Sequence, residues 1–223
     1  MTRVPGRRLR SVVQRLHRRY GDQHWWPGDG GFEIMVGAVL TQNTAWVNVE
    51  RALANLRREA HLAPERIAVC HPRRLARLIK PSGYFNVKAK RLRNFCRWYM
   101  EQGGTAALRR RSTEDLRHGL LSVNGIGPET ADDILLYAFE RPVFVIDAYT
   151  RRVLSRLGMI RGDEPYDELR LGLEHALGPD VPLFNEFHAL LVRHGKDVCR
   201  PKPRCDACCL RRGCGRIGLR TED

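Results

Sequence analysis

Four cysteines stand close together near the end of this 223-residue chain, at Cys199, Cys205, Cys208 and Cys214. Five, two and five residues separate successive members. Four thiolates on one short loop suit either tetrahedral zinc or a [4Fe–4S] cluster, and spacing alone does not choose between them. Four unligated thiols are the plainer alternative. Cys209 is a spare. Cys70 and Cys96 bring the total to an odd seven. With no secretory signal ahead of them, they argue against a disulfide framework and for metal. Arg200, Lys202 and Arg204 lie between the first two ligands. On a loop stiffened by metal, those charges suit phosphate contact; a solvated loop is the other reading.

The charge of the whole chain points the same way. Formal net charge is +14 and the sequence pI is about 10.1, from 39 Lys and Arg spread along the chain. A basic surface of that size suits a polyanion, most often nucleic acid. No apolar run approaches the roughly 20 residues of a membrane span, so no membrane partner is expected. The first twenty residues are Arg-rich and acid-poor, as a transit peptide would be. The helical spacing of Leu9, Val12, Val13 and Leu16 favours a first helix instead.

The fold class expected is all-α, with about ten helices between short Gly and Pro breaks. Residues 23–31 read as a loop carrying Trp25 and Trp26. Phe32 to Leu40 is apolar, and Thr41-Gln42-Asn43-Thr44 after it is suited to cap a helix from Ala45 to Arg58. Further helices are expected at about 64–70, 73–79, 86–101, 113–121, 128–139, 148–157, 165–177 and 181–195. Pro142 to Ile146 is β-branched and apolar but too short to imply a sheet.

Between the helices at 113–121 and 128–139 lies Asn124-Gly125-Ile126-Gly127. Glycines accept positive φ, and outward N–H groups at a helix start bind phosphate. An ordinary helix–helix turn is the alternative. About twenty residues on, Asp147 precedes Ala148-Tyr149-Thr150, where it reads as a helix N-cap or as a reactive carboxylate.

A glycine hairpin, an aspartate some twenty residues on, and a four-cysteine loop together resemble the helix-hairpin-helix superfamily of DNA glycosylases, in particular its endonuclease III branch. The resemblance runs from about residue 8 to 216. It implies an all-α, two-lobed helix-hairpin-helix DNA glycosylase fold with DNA bound across the cleft. One domain would comprise residues 1–30 with 141–223 and hold a [4Fe–4S] cluster on Cys199, Cys205, Cys208 and Cys214. The other would be residues 31–140, a six-helix domain with the hairpin motif at about 113–139. The family has six residues between the first two cysteines where this chain has five. Backbone phosphate would rest on Asn124, Gly125 and Gly127, with a monovalent cation on the hairpin carbonyls.

The resemblance also implies roles. Asp147 matches the catalytic aspartate. Glu129 stands where bifunctional enzymes carry a lysine that attacks the sugar, so the activity implied is monofunctional. Gln42 matches the residue that fills the gap left by the flipped nucleotide. Gly37 stands where the adenine-mismatch branch has a glutamate. Trp25-Trp26-Pro27, Gly37 to Thr44 and Pro81-Ser82-Gly83 resemble the bacterial 3-methyladenine glycosylases. In those, the positions of Trp25 and Trp46 sandwich the base; Trp26 is counted in the same pocket. The expected activity is excision of cationic alkylated purines from double-stranded DNA carrying a damaged base, by a cytoplasmic, nucleoid-associated bacterial monomer. The alternatives are a glycosylase for oxidised pyrimidines or mismatched thymine, and a non-catalytic protein that binds damaged DNA.

Overall fold

The computed structural model describes residues 4–26, 28 and 30–219. Pro27 and Asp29, in the stretch read as a loop, lie outside the described residues. Among those described, the chain is all-α, with twelve α-helices and no strand. No described helix is long and apolar enough to cross a membrane. The chain divides into two compact units, one of residues 26–141 and one of residues 1–25 with 142–223.

The unit of residues 26–141 is built around α2 (Gly31–Thr41). Met35 through Leu40 are buried without a break. A helix that is apolar on every side must be enclosed on every side. α2 accordingly packs against α3 (Trp46–Arg58), α6 (Phe85–Glu101), α9 (Pro128–Asp133) and the π-turn Ile134–Ala138 that continues α9. Its one buried acid, Glu33, is held by the Arg57 guanidinium through two hydrogen bonds. The shorter α4 (Pro64–Val69) and α5 (Pro72–Leu78) pack on α6.

One local expectation is corrected. Thr41 to Thr44 do not cap α3: its N-cap is Ala45, with no side-chain hydrogen bond. The polar side chains are used elsewhere, Gln42 on the hairpin and Thr44 as acceptor from Asn48 Nδ2 at 3.2 Å. After α6 ends at Glu101, a short helix that the sequence did not announce, α7 (Gly104–Arg109), follows at once. Gly103 and Gly104 have φ of 84° and 71°, which turns the chain sharply, and the Tyr99 hydroxyl then accepts from the Thr105 N–H at 3.0 Å. α8 (Thr113–Leu121), capped by Ser112, leads into the hairpin.

In the other unit, α1 (Gly6–Tyr20) buries Leu9, Val12 and Leu16 against α11 (Tyr166–Leu177) and α12 (Val181–Asp197). α10 (Ala148–Arg156) packs on α12. The apolar run Val143–Ile146 is buried yet forms no ladder. Its amides find side chains instead: Phe144 N–H donates to Glu174 Oε1 at 2.9 Å and Ile146 N–H to the Tyr166 hydroxyl at 3.3 Å. The Phe144 ring meets Phe184 edge-on with centroids 5.4 Å apart. Buried amides need partners, and these allow an extended strand-like segment without a sheet. That segment delivers Asp147 to the start of α10.

Candidate functional site

The hairpin joins α8 to α9. Ile126 N–H donates to the Val123 carbonyl at 3.0 Å, and both apolar side chains are buried, which anchors the turn. The two glycines differ. Gly125 has φ of 104°, a region that side-chained residues rarely adopt. Gly127 is the N-cap of α9 with φ −94° and ψ 177°, which any residue can adopt, and a Cβ there would meet nothing within 4 Å. Asn124, Gly127, Pro128 and Glu129 are exposed. The start of α9 at Gly127, Pro128 and Glu129 thus faces solvent, and a helix start is suited to binding phosphate. Glu129 occupies the first turn of α9.

Gln42 reaches this hairpin. Its Nε2 donates to the Gly125 carbonyl at 3.1 Å and to Thr130 Oγ1 at 2.9 Å, while Arg91 donates to its Oε1. One of the carbonyls expected to face a monovalent cation thus already accepts an amide.

Trp25 ends one unit and Trp26 opens the other. Trp26 meets Trp46 edge-on with centroids 4.9 Å apart and planes at 82°, and meets Tyr137 at 4.9 Å. Rings in edge-to-face contact leave no room for a base between them. Gly37 lies beneath both indoles: a Cβ there would come within 3.3 Å of Trp26 Nε1 and of Trp46 Cη2. Trp46 is oriented by Glu50, whose carboxylate accepts from Nε1 at 3.0 Å. Tyr137 was not visible as a site residue in the sequence. It sits in the π-turn, and one-residue widenings of this kind often mark functional sites.

Asp147 caps α10, its Oδ1 accepting the Thr150 N–H at 2.6 Å. It is 8% exposed. His188 of α12 places Nε2 at 3.6 Å from Oδ2. Burial pushes the carboxyl up, but the His188 ring and the Thr150 N–H outweigh it and hold the group below its ordinary value. A buried, ionised carboxylate at a helix start is suited to stabilising positive charge and orienting water. His188 lies 41 residues downstream on an apolar helix, and no local pattern announces it.

At the cysteine loop the donor set fits a cluster. Arg156 Nη1 stands 3.4 Å from Cys199 Sγ, and its guanidinium also donates to the carbonyls of Cys199, Arg200 and Pro201. Burial pushes His194 down to about 4. With the Tyr20 hydroxyl at Nδ1, at 2.9 Å, His194 Nε2 faces Cys208 Sγ at 3.5 Å. Cationic and neutral N–H groups aimed at sulphur are what thiolate-held clusters use. Away from the cysteines, the ligand atoms of His17, Asp22 and Glu186 lie within 4.8 Å of one another. Arg200, Lys202 and Arg204 are exposed on this loop, and Cys209 stands aside with its carbonyl bound by Arg15 at 2.6 Å.

Residues 36–179 match the family model described as the HhH-GPD superfamily base excision DNA repair protein. A Methanocaldococcus jannaschii protein named as a DNA repair glycosylase is 46% identical over 198 residues, covering 87% of this chain and 90% of that protein. Endonuclease III of Thermotoga maritima is 29% identical over 222 residues, 96% and 97% of the two chains. Among solved structures, an H. pylori 3-methyladenine DNA glycosylase bound to 1,N6-ethenoadenine superposes with a TM-score of 0.75 and 29% identity, covering 86% of this chain and 98% of that one. An endonuclease III–DNA complex superposes with a TM-score of 0.81 at 20% identity over 95% of each chain.

Proposed function

From the premise that this chain belongs to the HhH-GPD superfamily of base excision DNA repair proteins, and is a DNA glycosylase, we propose that it releases cationic alkylated purines such as 3-methyladenine and leaves the strand uncut. Glu129 carries this reading. A carboxylate cannot form a Schiff base with the sugar, and it occupies the hairpin-helix position where lyase-competent relatives place an amine. The chain's five lysines offer no substitute on α9. Lys88, the one with a pKa lowered by burial to about 8, is 1% exposed and spends its ammonium on two main-chain carbonyls.

A machine of one aspartate suffices when the leaving group is already cationic. Asp147 stabilises charge growing on the sugar as the base departs. The face of an indole attracts a cationic purine by about 0.5–2 kcal/mol, which gives Trp46 and Trp26, with Tyr137 beside them, a use in binding alkylated bases. Trp25 is proposed, on the resemblance alone, as a further base-binding ring. Gln42 fills the space of the flipped nucleotide, and the exposed Tyr84, 71% accessible at φ 43°, offers a ring for stacking on bases. Asn124, Gly125 and Gly127, with Arg200, Lys202 and Arg204, would hold backbone phosphate. The [4Fe–4S] cluster would serve structure, fixing the loop that carries those three cations. A second reading, release of oxidised pyrimidines, draws on the 29% identity with the T. maritima endonuclease III.

Duplexes each carrying one lesion, scored for abasic sites by alkali cleavage, separate the two. Release of 3-methyladenine or 7-methylguanine without release of thymine glycol is the expected result; the reverse spectrum overturns the proposal. Borohydride added during turnover should trap no protein–DNA adduct, and a trapped adduct would refute the absence of lyase chemistry. For the cluster, protein purified without oxygen should be yellow-brown and hold about four irons per chain. A colourless protein with one zinc overturns that assignment.

A further inference from the structure

Lys88 is a lysine where stability alone would place a leucine. It is among the largest fully buried side chains, and its ammonium donates to the Leu40 carbonyl at 2.8 Å and the Ser82 carbonyl at 2.6 Å. A buried cation is costly, so the segments it joins must need joining. Leu40 lies in the last turn of α2. The N–H that would serve its carbonyl in a continuing helix, that of Thr44, goes to Thr41 instead. Ser82 closes the 3₁₀ turn Lys80–Ser82 before Gly83 and Tyr84, both at positive φ. Two residues after the first carbonyl comes Gln42, and two residues after the second comes Tyr84. Lys88 thus pins together the roots of the two segments that carry them.

One helical turn further along α6, Arg91 acts on the same group of elements. Its guanidinium donates to Gln42 Oε1, and its aliphatic stem lies directly against Gly125 of the hairpin. The Gln42 side chain is therefore held by Arg91, while Lys88 holds the main chain two residues before it. Its own amide donates to Gly125 and Thr130.

We infer that Lys88 and Arg91 are positioning residues for nucleotide flipping, setting the register of Gln42, the Tyr84 turn and the hairpin. Neither touches the reacting atoms. The inference rests on the reading of Gln42 as the gap-filling residue. A filler offsets flipping only if its side chain is held where the gap opens, since ordering it at that moment would consume the gain.

The test compares Arg91→Met, Arg91→Lys and Lys88→Met with the wild type on two substrates. One carries 3-methyladenine paired in duplex; the other carries it opposite an abasic site, where extrusion is easy. Loss of a charge-assisted hydrogen bond predicts about a ten- to hundredfold slower single-turnover release from the paired lesion for Arg91→Met. Release from the unpaired lesion should stay within about threefold, because the filler's contribution is absent there. Arg91→Lys should recover most of the loss. Equal loss on both substrates, or none on the paired one, overturns the inference. Lys88→Met should behave alike, and if it fails to fold the Arg91 pair still decides. A second readout separates this inference from the choice of lesion. 2-Aminopurine paired with thymine in duplex, bound by each variant, brightens when extruded. The wild type should brighten it and Arg91→Met should not, at unchanged DNA affinity. Equal brightening overturns the inference even if the protein releases no alkylated base.

Discussion

Asp147→Asn is expected to slow base release by at least about a thousandfold while DNA affinity stays within a few-fold of wild type, since a charge placed where the transition state develops its own is among the largest single contributions to catalysis. The substitution separates chemistry from structure. Asparagine caps a helix as well as aspartate does, so the Thr150 N–H keeps its acceptor and α10 keeps its start. Only the charge is lost. A melting temperature near the wild-type value beside abolished release assigns Asp147 to chemistry; unchanged release removes it. The wild-type pH profile adds a check with a definite sign. The carboxyl is held below its ordinary value, so it stays ionised throughout the folded enzyme's working range. Its contribution to stability is complete above the ordinary aspartate pKa, about 3.9, and is lost as pH falls through the lower, folded value. Base release between pH 5 and 7 should therefore show no acid limb owed to Asp147.

What the residues disclosed in order, and what only the folded chain discloses, divide on a physical line. The hairpin, Asp147 as a helix cap, and the cysteine spacing are local. Each rests on residues within a few positions of one another, where backbone conformation and ligand reach follow from residue type. His188 beside Asp147 and Arg91 on Gln42 are contacts between helices 41 and 49 positions apart, and no local rule sets them. A lysine is ordinarily solvated, so nothing in the sequence marks Lys88, whose burial is offset by two carbonyls left over at the ends of other elements. No composition argument places Trp26 edge-on against Trp46, with Gly37 leaving the room beneath them. Tyr137 needed the π-turn, a change of helical register that its apolar sequence does not encode visibly.

The hairpin glycines give the second large effect, and they should part company. Gly125→Ala forces a side chain to φ 104° and into the stem of Arg91, with that stem's Cβ and Cδ 2.9 and 3.0 Å away. Strain of this kind costs on the order of 1–3 kcal/mol. At about 2–4 °C per kcal/mol for a chain of this length, the melting temperature should fall by several degrees. DNA affinity should fall with it, because the turn and Gln42 move together. Gly127→Ala meets no such obstacle: its φ of −94° is ordinary and the space is open. Its melting temperature should change by only about two degrees, since the cost of alanine at an N-cap is partly offset by the smaller conformational freedom it gives the unfolded chain. If that open space is where a backbone phosphate rests on the N–H groups of α9, the added methyl occupies it, and duplex affinity should drop by about tenfold, the loss of one charge-assisted hydrogen bond. Fluorescence anisotropy on an undamaged duplex, beside thermal melts, reads both quantities. Gly127→Ala binding like wild type would place the phosphate elsewhere. The same loss from both variants without any fall in melting temperature would show that Gly125 is not required by backbone conformation.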